Sequence, residues 1–410
     1  MILRTDNPAH GGAVFARDEG RPVLVYYALP GELVETEIRG KQGGIPFGSA
    51  VRVLEPAPRR VDPRCPHFGE CGGCQWQHAA YDLQLEIKRR VVEEAWRKAG
   101  LRLPPGSPVH GMKDPWRYRI RGEFEAVHGP DGPRFGFHRM RSHALLPIST
   151  CPIHDQRIER AMLAFGQAAR EHRVAGLQNL LLTVEPEGQG LLWTARFRAQ
   201  PGRRLDAVVV ARVAELLPDV VLLDDSMTLE VLGLIFRVRN DTFVQTNHRQ
   251  VPVLYQAALD MLAPAPDDRV LDLYAGIGTI GLCAAGRVAA VTEVEENPHA
   301  VRLGRLAARI NGIPNAAFLA GRVEVALRSV RAGEHTAVLL DPPRAGGDPR
   351  AIAELLRLQP GRIVYVSCEP STHARDLALL VQGGYRVRRA AIVDMFPQTY
   401  HVESVALLER

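Results

Sequence analysis

The chain has 410 residues, of which 46% are apolar and 24% charged. That length and balance suit two or three globular domains and exclude a disordered chain, a fibre or a small disulfide scaffold. No run of about 18 uninterrupted apolar residues occurs, and the start lacks a basic stretch followed by an apolar one, so no membrane partner and a cytoplasmic location are expected.

Basic side chains outnumber acidic ones by 51 to 46, and all of that excess lies in residues 1–240. Only Lys41, Lys88, Lys98 and Lys113 are lysines; the other 47 cations are arginines. Guanidinium groups bind phosphate bidentately and stack on bases, which suits RNA, although a GC-rich codon bias produces the same excess.

In chain order, residues 1–56 hold short β-prone runs separated by Gly and Pro turns, the pattern of an OB-like barrel. Pro56-Ala57-Pro58 follows as a hinge, and then a Cys-rich loop. Tyr81 to Gly100 has the apolar spacing of a helix. Residues 57–240 read as a central, mostly β domain with one helix near 155–173. Within it, Trp116 to Arg121 alternates apolar residues with Arg, as a strand with a cationic face would. Residues 241–410 change to alternating β and α. Strands are predicted at Val270–Tyr274, Ala289–Glu295, Ala337–Asp341 and Ile363–Ser367, with a terminal pair at Arg386–Val393 and Val402–Leu408. The fold class is α/β, a doubly wound Rossmann-like sheet finishing in an antiparallel hairpin.

The chemistry gathers at the ends of these strands. Asp272 stands four residues before Gly276, with Gly278 and Gly281 following. Gly276-x-Gly278-x-x-Gly281 also fits a dinucleotide turn, which leaves a NAD-linked oxidoreductase as a rival. Acid-x-x-x-Gly-x-Gly, with Glu295 ending the next strand to hold ribose hydroxyls, points to S-adenosylmethionine (SAM). Asp341-Pro342-Pro343-Arg344 and Ser367-Cys368 decide for SAM, because a NAD enzyme gains nothing from a Cys there. Methylating C5 of uracil needs a thiolate to add to C6, a methyl donor and a base that removes the C5 proton. Cys368 is the candidate nucleophile. Glu403, His401 and Asp394 are candidate bases, and spacing alone does not choose among them.

The set of motifs resembles the RNA uridine-5-methyltransferase family, in particular its 23S rRNA branch of RumA/RlmD type with an N-terminal TRAM domain. It rests on Cys65-x5-Cys71-Gly72-Gly73-Cys74 with Cys151, Phe243 to Asn247, the glycine turn, Asp341 to Arg344, Ser367-Cys368 and Phe396 to Glu403. The resemblance implies Cys368 as nucleophile and Glu403 as the base. It implies SAM contacts from Gln245, Tyr274, Thr279, Glu295 and Asp341 beside Gly276 and Gly278, and extends to Arg322. Glu369 stands where the family often has Asn, and a carboxylate beside the nucleophile should disfavour its thiolate.

Cys65, Cys71, Cys74 and Cys151 suit a metal site better than disulfides. Four thiolates fit zinc or iron–sulfur, and the resemblance implies a [4Fe-4S] cluster in the central domain. The leading expectation is thus SAM-dependent methylation of a uridine in 23S rRNA by a monomer. Alternatives are methylation of the tRNA T-loop and a non-catalytic RNA-binding or ribosome-assembly protein.

Overall fold

Five strands, Ile2–Ala9, Ala13–Asp18, Arg21–Tyr26, Leu33–Gln42 and Ile45–Glu55, close into a barrel in the computed structural model, which describes residues 1–410. Closure comes from the pairing of Ile2, Leu3 and Arg4 with Glu35, Val34 and Leu33. Alternate residues turn inward, so Leu3, Val14, Ala16, Val23, Val25 and Val34 form one small core. Glu32 is fully buried beneath it, where its carboxylate accepts from Leu29 N, Ala57 N and the Arg60 guanidinium. Those bonds hold it below the usual carboxylate range despite burial.

The barrel belongs to the first of two compact units, which spans residues 1–91, 113–224 and 396–401. This unit also holds a six-stranded sheet in the order Val221–Leu223, Gly190–Phe197, Leu177–Val184, Arg121–Gly129, Gly132–His138, Leu145–Pro147. The Gln156–Glu171 helix packs on it, started by Asp155, whose carboxylate accepts from Arg157 N. A second helix, Ala207–Leu216, lies where only strands were expected.

Two sequence expectations are corrected here. Trp116 to Arg121 is not a strand: regular structure begins at Arg121, and Arg117 has a left-handed φ of 53°. The Arg117 guanidinium is turned to the Cys151 and His154 carbonyls and to Glu159 at 2.7 Å, so it presents no cationic strand face. The cysteine cluster is the second correction. Cys65, Cys71, Cys74 and Cys151 border one cavity with His67 and His154, but no group of three or more His, Cys, Asp or Glu is disposed to hold a metal ion. All four are free thiols, and burial pushes each upward, Cys151 to about 12. Cys151 Sγ instead lies 3.0 Å from His154 Nδ1, and Cys71 Sγ accepts from Gly73 N. Neither the [4Fe-4S] cluster nor zinc is supported, and the fold class loses its four-cysteine element.

The second unit, residues 92–112, 225–395 and 402–410, is built on eight strands. Their order is Ala316–Ala320, Ala290–Glu295, Arg269–Leu273, Ala337–Leu340, Arg362–Ser367, Glu403–Glu409, Arg386–Val393, Val109–His110. The first five run parallel and Glu403–Glu409 inserts antiparallel. Helices cover both faces, which is why Val270–Leu273 and Ala337–Leu340 are buried throughout. No helix of the chain is long and apolar enough to cross a membrane.

Candidate active site

Parallel strands all finish at one edge of their sheet, and an antiparallel neighbour starts there. Leu273, Glu295, Leu340 and Ser367 end the central parallel strands, and Glu403 begins the antiparallel one. Ser367 is the register partner of Ser404. Just beyond that pair lie Cys368, which follows Ser367, and Glu403, which precedes Ser404, and the Glu403 charge acts on the Cys368 thiol. Asp341 and Arg344 follow the neighbouring strand, and both act electrostatically on the Cys368 thiol. The topology therefore gathers four chemically capable side chains from three segments of sequence.

The Cys368 thiol is pushed up to about 12, by burial first and then by the charges of Glu403 and Asp341, with Arg344 opposing. At rest it is a protonated, weakly reactive thiol. Asp341 is raised to about 7 by its burial and by Asp272. Glu369, the residue beside the nucleophile, has a structural role in the next helix. It is the N-cap of the Pro370–Gln382 helix, and its carboxylate accepts from Ser371 N. Glu403 itself is 3% exposed.

The glycine turn lies at the same edge. Tyr274, Gly276 and Gly278 have φ of 59°, 59° and 76°, a left-handed run that carries the chain from strand to helix. Gly276 N donates to Glu295 Oε2 at 2.9 Å and Asn297 N to Oε1 at 2.7 Å. Two amides thus fix the Glu295 carboxylate while lone pairs remain for hydroxyl donors. A Cβ on Gly276 would meet nothing within 4 Å, so the turn has open space beside it. Gly281 N donates to Asp272 Oδ2 at 2.9 Å, and Thr279 is hydrogen-bonded to the buried Tyr255 hydroxyl. This donor set and open turn fit an adenosyl ligand. The Tyr274 hydroxyl accepts from Asp348 N, which joins the turn to the loop after Asp341.

Other candidates sit as follows. Gln245 is half-buried in the segment before the Val251–Leu262 helix. That segment is pinned by Asn247, which donates to the Met395 carbonyl at 2.9 Å, and by Gln250, which donates to the Asp394 and His110 carbonyls. Asn247 entered the sequence analysis only as part of the Phe243 to Asn247 motif and Gln250 not at all, because the anchoring role of a buried amide on a loop has no periodic signal. Arg322 pairs with buried Glu324 and approaches Asp348, in the loop after Asp341, at 4.0 Å, so its guanidinium is engaged by carboxylates of this chain. Asp394 is fully buried behind the last turn, and the His401 ring packs on Tyr400 in the first unit. Register and charge favour Glu403 over both as the partner of Cys368. Asp376 is a further organiser: it accepts from the Tyr365 hydroxyl at 2.6 Å and from Gly347 N at 2.7 Å, which fixes the loop after Arg344.

Comparison with known proteins agrees with this geometry. Residues 198–410 match the family model described as tRNA (Uracil-5-)-methyltransferase. An uncharacterised RNA methyltransferase of Gloeobacter violaceus is 35% identical over 98% of this chain and 94% of its own. One from Halalkalibacterium halodurans is 32% identical with the same coverage. The crystal structure of Pyrococcus abyssi tRNA (uracil-54, C5)-methyltransferase with S-adenosyl-L-homocysteine superposes with a TM-score of 0.75, 24% identity, and coverage of 99% of this chain and 100% of that one. With no metal-holding cysteine group, the resemblance to the 23S rRNA branch with its iron–sulfur cluster is withdrawn.

Proposed function

Because the chain belongs to the tRNA (uracil-5-)-methyltransferase family, we propose that its substrate is a tRNA and its target a T-loop uridine. The chain is a SAM-dependent enzyme that methylates C5 of uridine in RNA. The description of the matching family supports tRNA over ribosomal RNA. The T-loop position follows the uracil-54 named for the Pyrococcus abyssi protein.

The observation that carries the mechanism is the placement of Cys368 and Glu403 together at the sheet edge that holds the glycine turn. In this reading the target base is turned out of its stack into the sheet edge. The Cys368 thiolate forms a bond to C6, and the ring electrons move onto C5 and O4. C5 takes the methyl group from the sulfonium, leaving S-adenosyl-L-homocysteine. Glu403 then accepts the C5 proton, the C5–C6 double bond re-forms, and the C6–sulfur bond breaks to return the thiolate. Arg344 acts on Cys368 as a cation, so it favours the thiolate against the charges of Glu403 and Asp341. Glu295 and the turn amides hold the ribose side of SAM in the same reading.

The test is methylation of purified transcripts with labelled SAM, followed by nucleoside analysis. The expected result is 5-methyluridine in tRNA, lost when the T-loop uridine is replaced by cytidine. Label confined to 23S rRNA fragments would overturn the tRNA assignment.

A further inference from the structure

Beneath the glycine turn lie two carboxylates that the reaction does not use. Asp272 and Glu293 are register partners on adjacent parallel strands, 2% and 0% exposed. Neither Glu293 oxygen meets a donor, and its polar neighbour is the Asp272 carboxyl. Asp272 is also the acceptor for Gly281 N, in the first turn of the helix that carries Thr279. The contact is tight: a Cβ on Gly281 would sit 2.4 Å from Glu293 Oε1 and 2.8 Å from Asp272 Oδ2.

We propose that Asp272 and Glu293 share a single proton, and that this acid pair is a positioning device holding the cofactor turn through the Gly281 amide. Two ionised carboxylates cannot occupy a dry site side by side without a cation. The groups facing the pair supply none. Tyr255, which is buried, and Cys283, which is half-buried, come from the two nearest helices and are held neutral, while Glu295, at the end of the strand that carries Glu293, and Asp341, just after the neighbouring strand, are further acids. Arg287 is near Cys283 and is not among the groups acting on either acid. With one proton present, Glu293 donates to Asp272, and Asp272 remains the acceptor for Gly281. When that proton is lost, the carboxylates repel and the Gly281 contact loosens. Burial and mutual repulsion both raise the Glu293 carboxyl well above its ordinary range, so the contact should loosen as pH rises through the pair's titration.

The inference rests on SAM binding at this turn, so the experiment separates the two claims. Affinities for SAM and for S-adenosyl-L-homocysteine are measured by calorimetry without RNA, from neutral to alkaline pH. Both ligands should weaken in parallel, by about tenfold for each pH unit beyond the pair's titration. E293Q keeps a donor toward Asp272 at every pH and should remove that dependence; D272N, which supplies an amide donor to Glu293, should do the same. If the pair served instead to attract the sulfonium charge, SAM alone would tighten as pH rises. A protonated-carboxyl band in the wild-type-minus-E293Q infrared difference spectrum at neutral pH is the ligand-independent check, since Asp341, raised to about 7, contributes equally to both proteins. Identical pH profiles for wild type and both variants, or no such difference band, would overturn the proposal. Failure to bind SAM at any pH would instead overturn the assignment of the turn, with the infrared band still deciding the shared proton.

Discussion

Cys368 and Glu403 lie just beyond the Ser367 and Ser404 pair, where the last parallel strand meets the inserted antiparallel one. In the proposed reaction Glu403 takes a proton from the substrate, and its charge, together with burial, also opposes ionisation of the resting thiol. The site trades resting reactivity of its sulfur for a base within reach.

That sign is measurable. Glu403→Gln removes the first-ranked charge opposing the thiolate, so the Cys368 thiol should ionise at lower pH. Alkylation by iodoacetamide, followed against pH by mass spectrometry, should shift down by about one unit and run about tenfold faster at a fixed mildly alkaline pH. An unchanged profile would show that the two groups do not interact.

Gly281→Ala should act on the cofactor rather than on the thiol. Its new methyl meets two carboxylate oxygens well inside contact distance, and crowding of this kind costs about 1–3 kcal/mol. Calorimetry should show SAM affinity reduced about tenfold or more, with alkylation of Cys368 unaltered.

Arg322→Ala separates a structural ion pair from a cofactor contact. The arginine is 62% exposed and its partner Glu324 only 5%, so its loss leaves a buried carboxylate short of a partner. Thermal unfolding should fall by a few degrees, while the KM for SAM changes less than about threefold. Glu295→Ala should do the reverse, raising that KM strongly. A large KM effect from Arg322→Ala would restore it as a SAM contact.

His373 offers a pH test of stability. It is fully buried, its Nδ1 lies 2.8 Å from the Ser404 hydroxyl, and burial lowers it to about 3. The unfolded chain binds this proton near pH 6.5 and the folded chain does not, so the stability it allows is complete above that value and is lost as pH falls. The loss approaches about 1.4 kcal/mol per pH unit. Denaturant unfolding of His373→Leu should show a shallower decline between about pH 6 and 4 than the wild type; equal slopes would contradict the assignment.

Much of the second unit was legible because parallel strands buried on both faces read as short apolar runs, as in Val270-Leu271 and Val338 to Leu340. Ala316–Ala320 was missed: an edge strand rich in alanine carries little β signal. Trp116 to Arg121 failed for the opposite reason, since alternation suggested a strand while Arg117 was committed to Glu159 and two carbonyls. At the site, chemistry at strand ends pointed to Cys368, while Glu403 came from the family resemblance; spacing alone left it level with His401 and Asp394, because no local pattern contains the register. The four cysteines border one cavity, yet spacing does not specify the disposition that metal binding demands. Glu293 sits in a strand that reads as ordinary, and only pairing shows that it faces Asp272.

The most direct measurement is a denaturing gel, with intact-mass analysis, of the enzyme incubated with tRNA transcript and SAM. Glu403→Gln should accumulate a slow-migrating protein–RNA adduct carrying the transferred methyl group, linked through Cys368, and Cys368→Ala should form neither adduct nor 5-methyluridine. Methylation by Cys368→Ala, or an adduct mapped to another residue, would contradict the account.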